Sequence, residues 1–527
     1  MRKISIFLLA LLLILPICNV QALDVSVRAI KVRESNEYSP HTAWELGYTG
    51  RNVVVAIIDA GVDDEHPDLE GKFVAGVDLT VPETPLTPRD GSHNPDDKWR
   101  HGTFCAGIVM GTGKDSGGKY MGTAPGAKLV DIKMHRGREP GGEVQWYIED
   151  WNENLINSFE WVIEHKDDFN IRVVSCSKGG GGENSSGDSL VDNAANKAVE
   201  NGIVVVIAAG NDGPKNKGFH DLVAADGVIT VGAVDDRGTV TTSDDIVAEY
   251  SNRGPRKDDG DDDPFDELKP EVVAPGCNIT SLKYSNGPLP ASGYRTSNGT
   301  SFSCPHVAGV VALMLEANPD LTPEHVKHIL QITAEQKYPA TFPDIHPKWN
   351  RSSGYGFVDA YEAVKLALET DANSTDPYKI VYILSVKDND CLCGSVKVSG
   401  RAFARRGEIE RIEFRVDNRS WTEAKFKKNG KWYNWSIILD TNRYDNGNHT
   451  ISVRAISGEM HSFEYRVNVV IKNPVREDGA AMSLKPFLAC ILIATAVCIM
   501  GYYENKTKKI SRFVRTKMRI KFNGHSM

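Results

Sequence analysis

The chain has 527 residues, of which 41% are hydrophobic and 25% are charged, and its formal net charge is −9. This composition is typical of a globular protein, and at roughly 150 residues per domain the length predicts two to four domains. Residues 504–527 carry eight Lys or Arg residues and one acidic residue, so the rest of the chain is acidic, which argues against nucleic acid as a partner.

The N-terminus predicts a secretory signal peptide over residues 1–22. Two basic residues precede an apolar run at residues 4–17, and Val20 and Ala22 supply the small residues of a cleavage site. A retained membrane anchor is the alternative interpretation.

Residues 23–370 predict an α/β domain with a doubly wound, mainly parallel sheet. Short β-branched runs, apolar on both faces, alternate with helical patterns such as the one from Asn152 to His165. The predicted strands are VVVAII (53–58), KLVDIKM (128–134), IRVVSCS (171–177), IVVVIAA (203–209) and VITVGAV (228–234). In such sheets, ligands bind beyond the carboxyl ends of the strands.

A polar linker, residues 371–377, ends this pattern, and a small all-β sandwich is predicted over residues 378–474. Its alternating strands recur about every ten residues, and the turn signal DNGNH separates two of them. This region lacks a cluster of catalytic residue types, and a spacer, substrate positioning and adhesion to an unknown partner are all open as its role.

The C-terminal part predicts a stalk (475–485), one transmembrane helix (486–503) and a basic cytoplasmic tail (504–527). The apolar segment has no charged residue and just reaches spanning length, and the basic residues follow it at once. Because positive residues stay on the cytoplasmic side, we expect a single-pass membrane protein with its main body outside the cell. Several Asn-X-Ser/Thr sequons fit a glycosylated exterior, and six exported cysteines allow disulfides of undetermined connectivity.

Four polar residues fall at strand ends or helix starts of the predicted sheet. Asp59 ends the strand VVVAIID and Asn211 ends IVVVIAAGN, whereas His101 and Ser301 open the helices HGTFCAGIVMG and SFSCPHVAGVVALMLEA. Taken alone, each of these residues is also typical of a purely structural role, in a turn or at a helix cap. Pro305 is expected in the first turn of its helix, where proline is tolerated.

Together these four residues supply what nucleophilic acyl transfer requires. A neutral serine hydroxyl is a poor nucleophile, so a histidine must take its proton, and the resulting imidazolium needs a carboxylate. The tetrahedral oxyanion needs hydrogen-bond donors, which the Asn211 amide and a backbone N–H at a helix start can provide.

The order Asp, His, Ser is that of subtilisin, and residues 37–368 resemble the subtilisin-like serine proteases (subtilases). The matching segments are AIIDAGVDDEHPDL, HGTFCAG, AAGNDG, YSNRGP, KPEVVAPG and GTSFSCPHVAG. The resemblance implies that Asp59, His101 and Ser301 form a catalytic triad and that Asn211 completes the oxyanion hole. The β-sandwich resembles the immunoglobulin-like modules that are often appended to exported proteases.

The resemblance also implies a substrate cleft along two strand ends. The segment SCSKGGG matches the family strand that pairs with an extended substrate. The implied substrate-binding residues are Ser177, Lys178, Gly179, Ala208 and Gly210. Lys178 departs from the family, which usually has leucine there. Two interpretations are open: the lysine favours acidic substrate side chains, or it extends to water.

No catalytic cofactor is expected, whereas structural calcium is. By resemblance, Asp68 and Asp115 occupy regions where family members often bind calcium. The run DDGDDDPFDE (258–267) offers seven carboxylates, which suit a hard cation or form a solvated acidic loop.

The sequence therefore predicts a serine endopeptidase that acts on protein or peptide substrates at the outer face of the cell membrane. The alternatives are an inactive adhesion protein that keeps the fold and a protein that processes only itself.

Overall fold

The computed structural model describes residues 23–81, 88–136, 148–178, 184–284 and 292–474. Four predicted segments lie outside these ranges and stay predictions: the signal peptide (1–22), the stalk (475–485), the membrane helix (486–503) and the basic tail (504–527).

An eight-stranded, mainly parallel sheet organises the first domain, as predicted. Its strands are β1 (Val54–Asp59), β2 (Phe73–Asp78), β3 (Lys128–Lys133), β4 (Ile171–Cys176), β5 (Val204–Ala208), β6 (Ile229–Asp235), β7 (Ile246–Val247) and β8 (Val272–Pro275). The order is β2-β3-β1-β4-β5-β6. Beyond β6, β8 pairs parallel and the short β7 pairs antiparallel. A separate hairpin joins β9 (Ile279–Leu282) and β10 (Tyr294–Ser297). The carboxyl ends of the parallel strands therefore share one edge.

Helices cover both faces of this sheet. They are α1 (Leu23–Ala29), α2 (Gly102–Met110), α3 (Ile148–His165), α4 (Leu190–Glu200), α5 (Thr300–Ala317), α6 (Pro323–Thr333) and α7 (Ala360–Glu369). Every residue of β1 is buried. Val55 and Ile57 pack with Phe104 of α2, whereas Ala56 and Ile58 join the core that contains α3. This two-sided burial explains why the strands read as continuous apolar runs.

Helix α1 is a buried element that the sequence did not reveal. Leu23 and Val27 are fully buried in the core beneath α2 and α5, and the Ser26 hydroxyl lies 2.8 Å from His306 Nε2 on α5. Burial of such apolar side chains contributes roughly 1.5–3 kcal/mol each to stability. The segment that follows the predicted cleavage site is thus part of the domain core.

Helix α5 is the one helix among the described residues that is long and apolar enough to cross a membrane. Of its apolar window, 83% is buried inside the protein, so it is the central helix of the first domain.

The second domain is a sandwich of two β-sheets, as predicted. Its strands are β11 (Lys379–Ile383), β12 (Cys391–Leu392), β13 (Ser395–Ala404), β14 (Arg411–Val416), β15 (Thr422–Glu423), β16 (Lys425–Asn429), β17 (Trp432–Asp440), β18 (Gly447–Ser457), β19 (Met460–His461) and β20 (Tyr465–Ile471). One sheet has the order β11-β13-β17-β16, and the other has the order β12-β20-β18-β14-β15 with β19 beside β18. The inward side chains of both sheets form one core.

The two domains pack against each other. Phe265 of the acidic run contacts the rings of Phe403 and Trp432 on the sandwich, with ring centroids 5.1 and 5.6 Å apart. Arg405 of the sandwich pairs with Asp263 of the same run at 2.6 Å. In the predicted linker, the Asp376 N–H donates to the His461 carbonyl at 2.7 Å. The second half of the acidic run is therefore packed between the domains, and the solvated-loop interpretation was wrong for the buried Asp263 and Asp266. The first half, residues 258–262, is exposed, as that interpretation expects.

Candidate active site

Asp59 lies at the end of the central strand β1 and is 1% exposed. Its Oδ2 accepts a hydrogen bond from His101 Nδ1 at 2.7 Å, and its Oδ1 accepts one from the Ala60 N–H at 2.8 Å. The turn after it brings Gly61 against Gly102 so closely that a Cβ at Gly102 would clash with the Gly61 carbonyl oxygen. This close approach brings the start of α2 next to the end of β1.

His101 directly precedes α2 but its side chain makes no capping hydrogen bond. Since Nδ1 must carry a proton to donate to Asp59, we assign the tautomer with an unprotonated Nε2. The imidazole ring is 13% exposed and stacks on Trp99 at a centroid distance of 5.0 Å. The Asp59 bond and the Trp99 stack fix the ring orientation and leave Nε2 as a proton acceptor.

Ser301 lies in the first turn of α5, and its hydroxyl donates to the Ser177 carbonyl at 3.3 Å. Cys105 connects it with His101, because the Cys105 Sγ is 3.5 Å from the Ser301 carbonyl oxygen and 3.7 Å from His101 Nδ1. The starts of α2 and α5 thus bring the histidine and the serine to one place.

Pro305 lies one turn further into α5 than predicted, because the helix begins at Thr300. Proline has no N–H to donate to the carbonyl four residues earlier, so the Ser301 carbonyl is free for other donors. The Ser177 hydroxyl donates to it at 2.7 Å. Because the proline leaves this carbonyl free, Ser177 at the end of β4 can hydrogen-bond to the backbone of Ser301.

Asn211 follows β5, and its Oδ1 accepts hydrogen bonds from the Thr300 N–H at 2.9 Å and the Thr300 hydroxyl at 3.1 Å. Its φ is not positive, so it does not adopt the left-handed turn conformation. Because the amide oxygen is held by the start of α5, the Nδ2 donor points to the other side of the planar amide. The Ser301 N–H lies in the first turn of α5, where the helix offers no carbonyl four residues earlier.

The predicted substrate-binding residues lie at the carboxyl ends of two neighbouring strands. Ser177 and Lys178 follow β4, Ala208 ends β5 and Gly210 follows it with φ +100°, whereas Gly179 lies outside the described residues. Lys178 does not extend to water: its side chain is 6% exposed, and its Nζ lies 3.5 Å from Asp59 Oδ1 and 4.0 Å from the Trp99 ring centroid. The preference for acidic substrate side chains stays a prediction.

Trp99 and His135 are neighbours of the site that sequence reasoning missed. His135 comes shortly after β3, and its Nε2 lies 3.8 Å from Asp59 Oδ1. Because His135 comes shortly after a predicted strand, its position in the sequence could have indicated that it lies near the site. Trp99 lies in a loop and offered no such signal.

Burial and charge set the ionisation of the site. Burial would raise the pKa of Asp59, but His101 and Lys178 outweigh it and hold that pKa below its usual value. Burial lowers the pKa of His101, Asp59 opposes this shift and Lys178 adds to it, so the imidazole is neutral at neutral pH. Burial, together with Lys178, lowers the pKa of His135 to about 3. Burial raises the pKa of the Cys105 thiol well above its ordinary value, so the thiol is neutral.

The predicted calcium residues form a hydrogen-bonded cluster. Asp68 is fully buried, and its two oxygens accept from the Asp115 N–H at 2.8 Å and the Tyr294 hydroxyl at 2.9 Å. Asp115 Oδ2 accepts from the Gly293 N–H at 2.6 Å. Calcium requires six to eight oxygen ligands, whereas these carboxylates face N–H and O–H donors. The residues present do not fit calcium well, and its binding there stays a prediction.

Carboxylates of the acidic run form ion pairs with an arginine that precedes the run. The buried Arg256 places its Nη2 2.9 Å from both Asp226 and Asp259 and 3.2 Å from Asp266. A guanidinium therefore already neutralises part of this carboxylate cluster.

Comparison with known proteins identifies the family of each domain. The family described as the subtilase family matches residues 50–356, and a bacterial Ig domain matches residues 381–453. Serine protease AprX of Bacillus subtilis (strain 168) is 35% identical over 330 residues, which cover 60% of this chain and 67% of that protein. Bacillopeptidase F of the same organism is 28% identical over 498 residues, 87% of this chain but only 31% of that protein.

Among solved structures, Sphericase aligns with a TM-score of 0.48 and 25% identity over 63% of this chain and 96% of its own. Subtilases need no catalytic cofactor, because side chains carry out the acyl transfer. The family match spans more than half of the 527 residues, so this chain belongs to the subtilase family and is a subtilisin-like serine endopeptidase.

Proposed function

We propose that Asp59, His101 and Ser301 form the catalytic triad and that the enzyme is displayed on the outer face of the cell membrane. The observation that carries the triad is the 2.7 Å hydrogen bond between Asp59 and His101 beside the first turn of α5. This bond orients the imidazole so that its second nitrogen accepts a proton.

In the proposed first step, the Ser301 hydroxyl breaks its hydrogen bond to the Ser177 carbonyl and donates its proton to His101 Nε2. Its oxygen attacks the carbonyl carbon of the substrate. Apo geometries of this kind tighten when substrate binds. Asp59 stabilises the imidazolium that forms, and the Ser301 N–H and the Asn211 Nδ2 donate to the oxyanion. His101 then protonates the leaving amine, and water hydrolyses the resulting acyl-enzyme.

The substrate chain lies along the residues that follow β4 and β5 in this proposal. Backbone groups of Ser177 and Lys178 on one side, and of Ala208 on the other, receive an extended peptide by main-chain hydrogen bonds, and Gly210, which has no side chain, leaves room beside it. Gly179 lies outside the described residues. Main-chain recognition fits a protease with protein or peptide substrates.

Replacing Asn211 tests the oxyanion hole. We expect Asn211→Ala to lower kcat by roughly 10²–10³-fold with little change in KM, a magnitude taken from the equivalent amide of subtilisin. Asn211→Asp is the matched variant, because it keeps the oxygen that binds Thr300 and loses the Nδ2 donor. Steady-state kinetics on a chromogenic peptide measure both variants. If both retain kcat within about threefold at unchanged Tm, Asn211 is not an oxyanion donor.

The membrane orientation is tested by labelling intact cells that express the full chain. Cys391 and Cys393 of the sandwich are exposed free thiols, so a membrane-impermeant maleimide is expected to label them without cell lysis. The variant Cys391→Ser/Cys393→Ser is the control and should lose this label. Labelling that requires lysis would place the sandwich inside the cell.

A further inference from the structure

Lys178 is a buried cation in direct contact with the Asp59–His101 pair. Its Nζ lies 3.5 Å from Asp59 Oδ1, 3.2 Å from His101 Nδ1 and 4.0 Å from the centroid of the Trp99 ring. The indole face stabilises an ammonium electrostatically. The lysine therefore has two partners that hold it in place, the carboxylate and the aromatic ring.

The contact with the histidine is electrostatic. His101 Nδ1 donates its proton to Asp59, so this nitrogen has no lone pair for Lys178, and the ammonium is simply adjacent to the ring. A positive charge at this distance leaves the neutral imidazole almost unaffected and destabilises the imidazolium. The same charge stabilises Asp59 as a carboxylate.

The other groups around the imidazole do not duplicate this effect. Asp97 is buried and its Oδ2 accepts from the Thr103 N–H and hydroxyl, and the Cys105 thiol is neutral. His135, on the loop after β3, is itself neutral and closest to Asp59. Among the described residues in contact with the pair, Lys178 is the charged group that opposes protonation of His101.

We propose that Lys178 is a positioning residue that acts through Asp59 and His101 and extends the activity of the enzyme toward acidic pH. It does so by disfavouring protonation of the free enzyme's histidine, which would remove the general base. This inference rests on the proposed triad.

The test is the pH dependence of kcat/KM, measured with the purified full chain and a chromogenic peptide. In Lys178→Met, a shape-matched neutral variant, the midpoint of the acidic limb is expected to rise by about one to three pH units. Lys178→Gln, the second neutral variant, should shift in the same direction, whereas Lys178→Arg retains the charge and should stay near the wild-type midpoint. Lys197→Met, at an exposed position on α4, is the surface control.

The inference is overturned if both neutral variants keep the wild-type midpoint, or move it to lower pH, at unchanged Tm. The rate of reaction with a fluorophosphonate, measured across the same pH range, must show the same shift and does not depend on substrate binding. If Ser301→Ala still reacts with this reagent, the proposed triad itself fails. If Ser301→Ala is inert and the midpoint is unmoved, only the role of Lys178 fails.

Discussion

Ser301→Ala is expected to lower kcat by roughly 10⁶-fold, the scale set by the triad serine of subtilisin. The hydroxyl oxygen is the attacking atom in the proposed mechanism, and neither the Thr300 hydroxyl, which donates to Asn211, nor the neutral Cys105 thiol is expected to replace it. Peptide hydrolysis and thermal unfolding of the purified chain measure activity and folding separately.

Ser303→Ala is the matched control for this result. Ser303 lies two residues further along α5 and is fully buried, and its hydroxyl has no hydrogen-bond partner, so its removal should leave kcat within about threefold. A Ser301→Ala enzyme as active as the Ser303→Ala enzyme would exclude Ser301 as the nucleophile.

Asp59→Asn is expected to lower kcat by roughly 10⁴-fold. An amide can hold the imidazole in the wrong tautomer, and it does not stabilise the imidazolium that forms when Ser301 is deprotonated. Kinetics at the pH optimum measure this loss. Retention of more than about a tenth of the wild-type kcat would show that His101 does not depend on Asp59.

The same substitution has a second effect, on stability. Asp59 and Lys178 are 1% and 7% exposed, so Asp59→Asn leaves a buried ammonium without its counter-charge, at a cost of about 3 kcal/mol in the free energy of unfolding. The double variant Asp59→Asn/Lys178→Met removes both charges and should recover much of this loss without recovering activity. Urea unfolding and kinetics on the three proteins separate the catalytic role of Asp59 from its structural role.

The parallel sheet and the sandwich could be predicted because their strands carry strong local patterns. The apolar runs that form β1, β3, β4, β5 and β6 are buried on both faces, and the alternating sandwich strands bury one face. Strand β2 was missed because it is an edge strand with a mixed pattern that exposes Val74. Helix α1 was missed because its burial depends on a distant contact with α5, which local periodicity does not encode.

The candidate site was predictable to the extent that it follows from strand ends and helix starts. Asp59, His101, Asn211 and Ser301 lie at one edge because a doubly wound sheet places them there. The direction of Lys178 was not predictable, because a flexible four-carbon side chain can reach water or a buried partner. The buried direction of the Lys178 side chain is determined by its contacts with Trp99, almost eighty positions earlier in the chain, and with Asp59 on the neighbouring strand.

In the proposed mechanism, Ser301 is a nucleophile activated by His101 and Asp59. The most direct test of this role is reaction of the folded, purified chain with a fluorophosphonate, followed by mass-spectrometric identification of the modified residue. We expect one adduct, on Ser301, that is absent in Ser301→Ala and forms far more slowly in Asp59→Asn. An adduct on another residue, or none on folded wild-type protein, would contradict the proposed mechanism.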